Sequence, residues 1–168
     1  VDNCSTDRTL QKAKDAGAIT LHHKINLGKS GSLKTGCQAA LLLKTDIIAF
    51  MDSDNQHKPE DLPRFFELIT KENYDIVIGG RENLNNMPTV RRFGTFLLML
   101  TTRLLFNIKV RDIQSGFRVF KSAVYEKISW NASGSSHYFA DAEITTRIAK
   151  EKLKFKEIPI ETIYFDKY

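Results

Sequence analysis

An α/β domain with a mostly parallel sheet is the fold class this sequence predicts, and three observations carry it. Strand-like and helix-like segments alternate along the 168 residues, the pattern of strands joined by crossover helices. One strand, Ile47 to Met51, is an unbroken apolar run, as expected of a central parallel strand covered on both faces. The composition, 42% hydrophobic and 27% charged, is that of an ordinary globular domain. A chain of this length buries roughly 70% of its extended surface, so it needs no disulfide or structural metal to fold. No internal repeat or low-complexity tract divides it, and residues 1–168 read as one domain.

The elements follow in order. "STDRTLQKAKDAG" opens on Ser5 as an N-cap and closes on Gly17, the start and stop signals of a short helix. "AITLHH" reads as a strand. In "GKSGSLKTGCQAALLLK", Leu33, Gly36, Cys37, Ala40 and Leu41 fall at 0-3-4-7-8 and make one buried helical stripe. "DIIAFMD" is the apolar central strand. Pro59 then takes the first helical position of "PEDLPRFFELITKE", whose buried face is Leu62, Phe65, Phe66 and Ile69. "YDIVIGG" is a strand stopped by Gly79 and Gly80. Residues 88 to 107 read as a helix, "SAVYEKI" as a shorter one, and "YFADAEITTRIAKEK" as a helix with Ile144 and Ile148 inward. "FKEIPIETIYF" alternates with Ile158, Ile160 and Tyr164 on one side, and Pro159 marks an edge or a bend. Val1 reads as the last residue of a strand and Tyr168 follows another, so the sequence reads as a segment cut at both ends.

The net charge of +5 and pI near 9.2 favour an anionic partner. Nucleic acid is disfavoured, because the basic residues are not interleaved with aromatics in a readable motif. Two cysteines, Cys4 and Cys37, are too few for a disulfide framework and suit a reducing compartment.

The chemistry concentrates where strands end, the edge at which open α/β sheets bind ligands. Asp52 and Asp54 follow the apolar strand, and side chains at i and i+2 of an extended segment point the same way. Two like charges so close repel unless a cation or proton offsets them. A hard divalent cation, Mg²⁺ or Mn²⁺, takes one or two carboxylates and fills its shell with water and phosphate oxygen. Gln56 can add an oxygen ligand. The alternative is a helix-start turn whose acids stabilise the dipole of the following helix. His57, beside this pair, reads as a solvent-facing residue at a helix start. "NLGKSGSLKTG" places Asn26, Gly28 and Lys29 in a loop before a helix, where backbone and helix N-terminus approach phosphate and Lys29 adds a point charge. Asp2 and Asn3 stand at another strand end, where a carboxylate can accept hydrogen bonds from a base or ribose.

"VDNCSTDRT", "NLGKSGSLKTG", "MDSDNQHKPEDL", "GGR" and "RDIQSGFRVF", in this order and spacing, resemble the inverting family 2 glycosyltransferases. Within that family the resemblance is to the polyprenol-phosphate sugar transferases. It covers nearly the whole chain and implies a GT-A fold, a nucleotide-sugar donor linked to GDP or UDP, and a divalent cation. It also implies that Asp2 contacts the nucleoside, that Asp52 and Asp54 hold the metal against the donor diphosphate, and that Gln56 completes the metal site. Arg81, Ser115 and Arg118 would face donor or acceptor phosphates, a task suited to the guanidinium fork, and Gly116 would let the backbone come close. Asn3 departs from the family pattern, which often has a second aspartate there. The family's opening strand, with its proline and Asn-Glu pair, would precede Val1.

"HYFADAE" holds Asp141 and Glu143 near a helix start. In relatives that glycosylate hydroxyl groups an acid in this region is the general base; the alternative is capping charge. His137 reads as a loop residue. A polyprenol phosphate is already an anion at neutral pH, so its glycosylation depends on positioning and charge stabilisation, with Asp54, Arg118 and Asp141 as the catalytic candidates. In "TVRRFGTFLLMLTTRLLFNIKVR", Phe93, Phe96, Leu97, Leu100 and Leu104 form a helical stripe, widened by Leu98, Met99 and Leu105. Arg91, Arg92, Arg103, Lys109 and Arg111 flank it. That pattern suits a helix lying on the cytoplasmic face of a membrane; packing onto the sheet or a partner copy in a homo-oligomer is the alternative. The expected activity is sugar transfer to a polyprenol phosphate. The competing expectations are a transferase acting on a hydroxyl acceptor and a silent nucleotide-binding fragment.

Overall fold

The computed structural model describes residues 1–81, 100, 110, 112, 115–128 and 140–162. Their element order is α1 (Thr9–Asp15), α2 (Gly28–Leu42), β1 (Ile47–Phe50), α3 (Leu62–Thr70), β2 (Ile76–Arg81), β3 (Arg118–Lys121), α4 (Tyr125–Ile128), α5 (Ala140–Lys150) and β4 (Phe155–Ile160). Short 3-10 turns at Pro59–Asp61 and Ser122–Val124 lead into α3 and α4. Apart from Leu100, which is exposed, the expected helix over 88 to 107 with its basic flanks, and the expectations for His137 and Tyr164, lie outside the described residues.

The sheet has the order β1-β3-β2-β4. β2 and β4 pair in parallel, from Ile76 opposite Phe155 to Arg81 opposite Ile160. β3 runs antiparallel to both its neighbours. β1, β2 and β4 therefore point one way and deliver their C-terminal ends to one edge, while β3 begins at that edge.

The period of two sorts the side chains onto two faces. Ile48, Phe50, Ile76, Ile78 and Phe120 pack with Cys37 of α2, Ile128 of α4, and Ile144 and Ile148 of α5. Val77, Val119, Ile158 and Ile160 pack with Phe65 and Ile69 of α3 on the other face. This is a three-layer arrangement with helices on both sides. Phe50 meets Phe120 edge to face at 5.0 Å, and Phe65 stacks on Phe117 at 4.5 Å, contacts that join the sheet's rows to each other and to α3.

Several expectations shift. α1 begins at Thr9 with no side-chain cap at Arg8, so Ser5 is not its N-cap; the Ser5 N–H donates instead to Asp2 Oδ2 at 3.3 Å. "AITLHH" contributes one parallel bridge, between Asp2 and His22, rather than a ladder. Leu41 and Phe66, placed inward by periodicity, are 38% and 37% exposed, because each sits at the margin of its helix's buried stripe. β1 is four residues long with Ala49 exposed, so it is not buried on both faces. Its outer edge has no strand partner among the described residues.

Gly79 and Gly80 do not stop β2 but lie within it. A Cβ on Gly79 would stand 3.0 Å from Ile160 and Phe65, and one on Gly80 would meet Glu157 Oε1. The same Glu157 oxygen accepts the Asp112 N–H at 2.9 Å. Asp112, 1% exposed, in turn receives Arg81 in a two-pronged bond, Nε to Oδ2 at 2.6 Å and Nη2 to Oδ1 at 2.8 Å. The missing side chain of Gly80 thus makes room for a carboxylate that pins the segment carrying Asp112 to the end of β2. Replacing Asp112 by Ala leaves a largely buried guanidinium without its carboxylate, and urea unfolding is expected to show a loss of about 2–4 kcal/mol.

Cys37 is fully buried and its thiol is pushed up to about 12 by burial. The thiolate is the reactive form, so an alkylating reagent at pH 8 is expected to label Cys4 in the native protein. Cys37 is expected to remain unlabelled until denaturant unfolds the chain, as read by mass spectrometry of the peptides.

Candidate functional site

The site assembles at the edge where β1 and β2 end and β3 begins. Asp52 lies two residues beyond β1. Lys29 is the second residue of α2, and its ammonium lies 2.9 Å from Asp52 Oδ1 and 3.2 Å from Oδ2. The same ammonium lies 3.1 Å from Oδ2 of Asp141, the second residue of α5. Gly116 closes the cluster from the turn before β3. A Cβ there would fall 2.3 Å from Asp52 Oδ2 and 2.9 Å from Lys29 Nζ, so a larger residue would push both side-chain ends aside. The sequence reading assigned Gly116 to close approach, and the group that approaches is the side chain of Asp52.

Beneath this cluster sits Arg118, fully buried at the start of β3. Its Nε donates to the Ser115 carbonyl at 2.9 Å and its Nη2 to the Asp141 carbonyl at 2.8 Å. Nη2 is also 3.9 Å from Asp141 Oδ1. Where the sequence reading has Arg118 face a ligand phosphate, its Nε and Nη2 point into the protein and hold the Ser115 turn and the start of α5. Ser115 is buried too, and its hydroxyl oxygen accepts the Phe117 N–H at 3.3 Å. Arg81 is likewise engaged with Asp112. Asp141 is 7% exposed, and its Oδ1 is a buried atom that accepts no hydrogen bond.

The loop after β1 departs from the extended geometry expected of a D-x-D pair. Asn55 takes a left-handed conformation at φ 62°, and Asp54 Oδ1 turns onto the Gln56 N–H at 3.0 Å. Asp54 is exposed and Gln56 half-buried. No three His, Cys, Asp or Glu residues gather as a metal cluster among the described residues. His57 is 9% exposed rather than solvent-facing. It stacks on Phe117 at 5.2 Å, and its Nδ1 accepts the Asp52 N–H at 3.3 Å. Burial holds its pKa below the ordinary value against the opposing pull of Asp52 and Asp54, so the ring is neutral at pH 7 and serves as an acceptor that fixes Asp52. No local signal in the sequence marks His57 as buried, because its ring partner is 60 residues away.

A second polar group lies at the start of the chain. Asp2 is 9% exposed, and its Oδ2 accepts from the Ser5 backbone and meets His22 Nδ1 at 2.7 Å. These two bonds hold its pKa below the ordinary value, Ser5 contributing more. Its other oxygen, Oδ1, is buried and accepts no hydrogen bond. Asn3 is committed to the loop before α2. Its amide donates to Asn26 Oδ1 at 2.7 Å, and its oxygen accepts the Leu27 N–H at 2.9 Å and meets His23 Nδ1 at 3.0 Å. Asn26 Oδ1 also accepts the Gly28 N–H at 2.8 Å. Asn3 is both donor and acceptor, a pairing that an aspartate could not supply. Gly28 sits at φ 70°, and this bound loop aims Lys29 at Asp52. A cavity of about 540 Å³ runs from Lys29, Asp52 and Ser53 to Val1 along the edge of β1 that has no strand partner among the described residues.

Comparison with known proteins places this geometry. The family described as Glycosyl transferase family 2 matches residues 1–129. An uncharacterized protein of Methanocaldococcus jannaschii is 40% identical over 98% of this chain and 69% of its own length. The UDP-N-acetylglucosamine–dolichyl-phosphate N-acetylglucosaminyltransferase of Methanococcus voltae is 32% identical over 87% of this chain and 59% of its length. The undecaprenyl-phosphate mannosyltransferase of Micrococcus luteus is 29% identical over 95% of this chain and 69% of its length. Among solved structures, the glucosyl-3-phosphoglycerate synthase of Mycobacterium tuberculosis superposes with a TM-score of 0.72 at 17% identity, over 99% of this chain and 60% of that one. The chain thus spans between about three fifths and seven tenths of these proteins. It belongs to glycosyl transferase family 2, has the GT-A fold, and resembles within that family the polyprenol-phosphate sugar transferases.

Proposed function

We propose that this chain carries the catalytic site of an inverting transferase that moves a sugar from a nucleotide-diphosphate sugar to a polyprenol phosphate. The observation that carries this reading is the convergence of Asp52, Lys29, Asp141 and Gly116 on one point at the strand-end edge. Two relatives are named for transfer to dolichyl or undecaprenyl phosphate, one with N-acetylglucosamine and one with mannose. They support the acceptor class and leave the sugar open. The proposal includes work at the cytoplasmic face of a membrane, where such an acceptor presents its phosphate. No helix among the described residues is long and apolar enough to cross a bilayer.

The donor set fits a divalent cation. Asp52, Asp54 and the Gln56 amide are hard oxygen ligands, which suit Mg²⁺ or Mn²⁺, and a structural neighbour was solved with Mn²⁺ and UDP-glucose. One or two carboxylates suffice when phosphate and water complete the shell, in keeping with the absence of a larger acidic cluster among the described residues. The cation would neutralise charge growing on the leaving diphosphate.

The chain's own residues do the rest. Asp2, with its unpaired buried Oδ1, would accept a hydrogen bond from the nucleoside. Asn26 and Gly28 shape the loop that presents Lys29 to phosphate. Arg118 and Ser115 position rather than touch, since both are buried under the site. Arg81 stands at the rim, 15% exposed and oriented by Asp112, where it can meet an acceptor phosphate. A phosphate acceptor needs no proton removed at neutral pH, so this reading asks no general base of Asp141, whose carboxylate lies 3.1 Å from the Lys29 ammonium.

Calorimetric titration of GDP and of UDP, with and without Mn²⁺, tests the reading. One nucleotide is expected to bind only with metal, and Asp52→Ala is expected to weaken that binding at least tenfold; binding of neither by the folded protein overturns the proposal. In transfer assays with polyprenol phosphate, Asp141→Asn is expected to lower kcat less than about tenfold, whereas loss of a true general base costs about 10²–10⁴. A loss in that larger range would move the acceptor to a hydroxyl.

A further inference from the structure

Lys29 does something that a plain phosphate-binding lysine need not do. Its single ammonium bridges two carboxylates from different elements, Asp52 beyond β1 and Asp141 on α5, at 2.9 and 3.1 Å. Both oxygens of Asp52 lie within 3.2 Å of it. The bridge is packed against bare backbone at Gly116, so no other side chain shares the space from that side. Asp141 keeps a second oxygen buried and without a hydrogen bond, so the carboxylate pair is not fully satisfied by the lysine.

We propose that Lys29 is the resident counter-cation of Asp52 and Asp141. It neutralises Asp52 and Asp141 until the donor arrives, and it must release Asp52 before Asp52 can take a divalent cation. This rests on the reading of Asp52 as a metal ligand. A divalent cation binds carboxylate oxygen at about 2.0–2.1 Å, so on Asp52 it would stand close to an ammonium already within hydrogen-bond distance of both oxygens. The two cations repel, and in a partly desolvated site that repulsion is poorly screened. The lysine side chain is 36% exposed on a flexible four-carbon stem, so it can swing. A lysine ammonium is charged at neutral pH, so it needs a new anion when displaced. The donor diphosphate is that anion.

The consequence is coupled binding. Metal alone must displace Lys29 at a cost, whereas metal together with a diphosphate gives the displaced ammonium a partner. Each ligand then raises the affinity for the other by the same factor. Removing the ammonium should push the two affinities in opposite directions, which a purely structural lysine would not do.

The test is calorimetry on wild type, Lys29→Met and Lys29→Arg, titrating MnCl₂ alone and then GDP or UDP at saturating Mn²⁺. For Lys29→Met the expected result is Mn²⁺ alone binding roughly three- to tenfold more tightly, the scale of losing competition from a part-exposed ion pair. Nucleotide with Mn²⁺ is expected to bind at least tenfold more weakly, and Lys29→Arg to bind Mn²⁺ alone no more tightly than wild type. Thermal melting gives a second reading. Without metal Lys29→Met should melt lower than wild type, and Mn²⁺ should raise its melting temperature more than it raises the wild type's. Unchanged or weaker Mn²⁺ binding by folded Lys29→Met, in a protein whose wild type binds nucleotide with metal, overturns the counter-cation role and leaves the transferase reading intact. If the folded wild type binds neither nucleotide with Mn²⁺, both fall.

Discussion

Arg118 is a guanidinium with no exposure to water, placed at the first residue of the strand that joins β1 to β2. Taking such a charge out of water costs several kcal/mol unless hydrogen bonds and an opposite charge offset it. The offsetting groups are the Ser115 and Asp141 carbonyls and the Asp141 carboxylate. The turn before β3, the start of α5 and the central strand are thereby locked to one another. Everything at the site stands on that lock: Gly116 is held where Asp52 and Lys29 meet, and Asp141 is held where Lys29 can reach it. The site is rigid below and adjustable above, with a buried arginine as its floor and a half-exposed lysine as its working cation.

The same division explains what the sequence made legible. Helices with clear boundary signals were readable to within a few residues: α2, α3 and α5 begin and end near the signals that announce them, and Phe65, Ile69, Ile144 and Ile148 are buried as their spacing requires. β2 and β4 were readable as strands, and Pro159 does lie on an edge strand of the described sheet. β3 went unrecognised as a strand because a fully buried arginine interrupts its alternation, and a charged residue at a core position reads as a surface one. The glycines of β2 read as a stop, yet they are spaces cut for Ile160, Phe65 and Glu157, partners more than 70 residues away or on another layer.

At the site, residue types were readable and their allegiances were not. Asp52, Lys29, Asp141 and Gly116 could be nominated from motifs, but nothing local says that Lys29 joins two of the others. Arg81 and Arg118 looked alike in sequence, one directly after Gly79 and Gly80 and the other two residues after Gly116. Their partners at positions 112 and 141 decide that one lies at the rim and the other in the floor. His57 and Asn3 show the same limit, since a ring contact and a loop clamp turn residues that looked exposed or aberrant into supports for Asp52 and Lys29.

The acids that meet at the strand-end edge, Asp52 and Asp141, have a cation of their own in Lys29. Two carboxylates so close need a positive charge to offset their repulsion, and a half-exposed lysine is one that can move. Arginine in its place would grip a carboxylate with a fixed two-pronged fork, as Arg81 grips Asp112, and would be slower to yield. A lysine is a point charge on a flexible stem, able to leave a carboxylate for a phosphate without any rearrangement of the floor beneath. The choice of lysine over arginine at position 29, and of arginine over lysine at positions 81 and 118, follows which cations must move during a cycle and which must not.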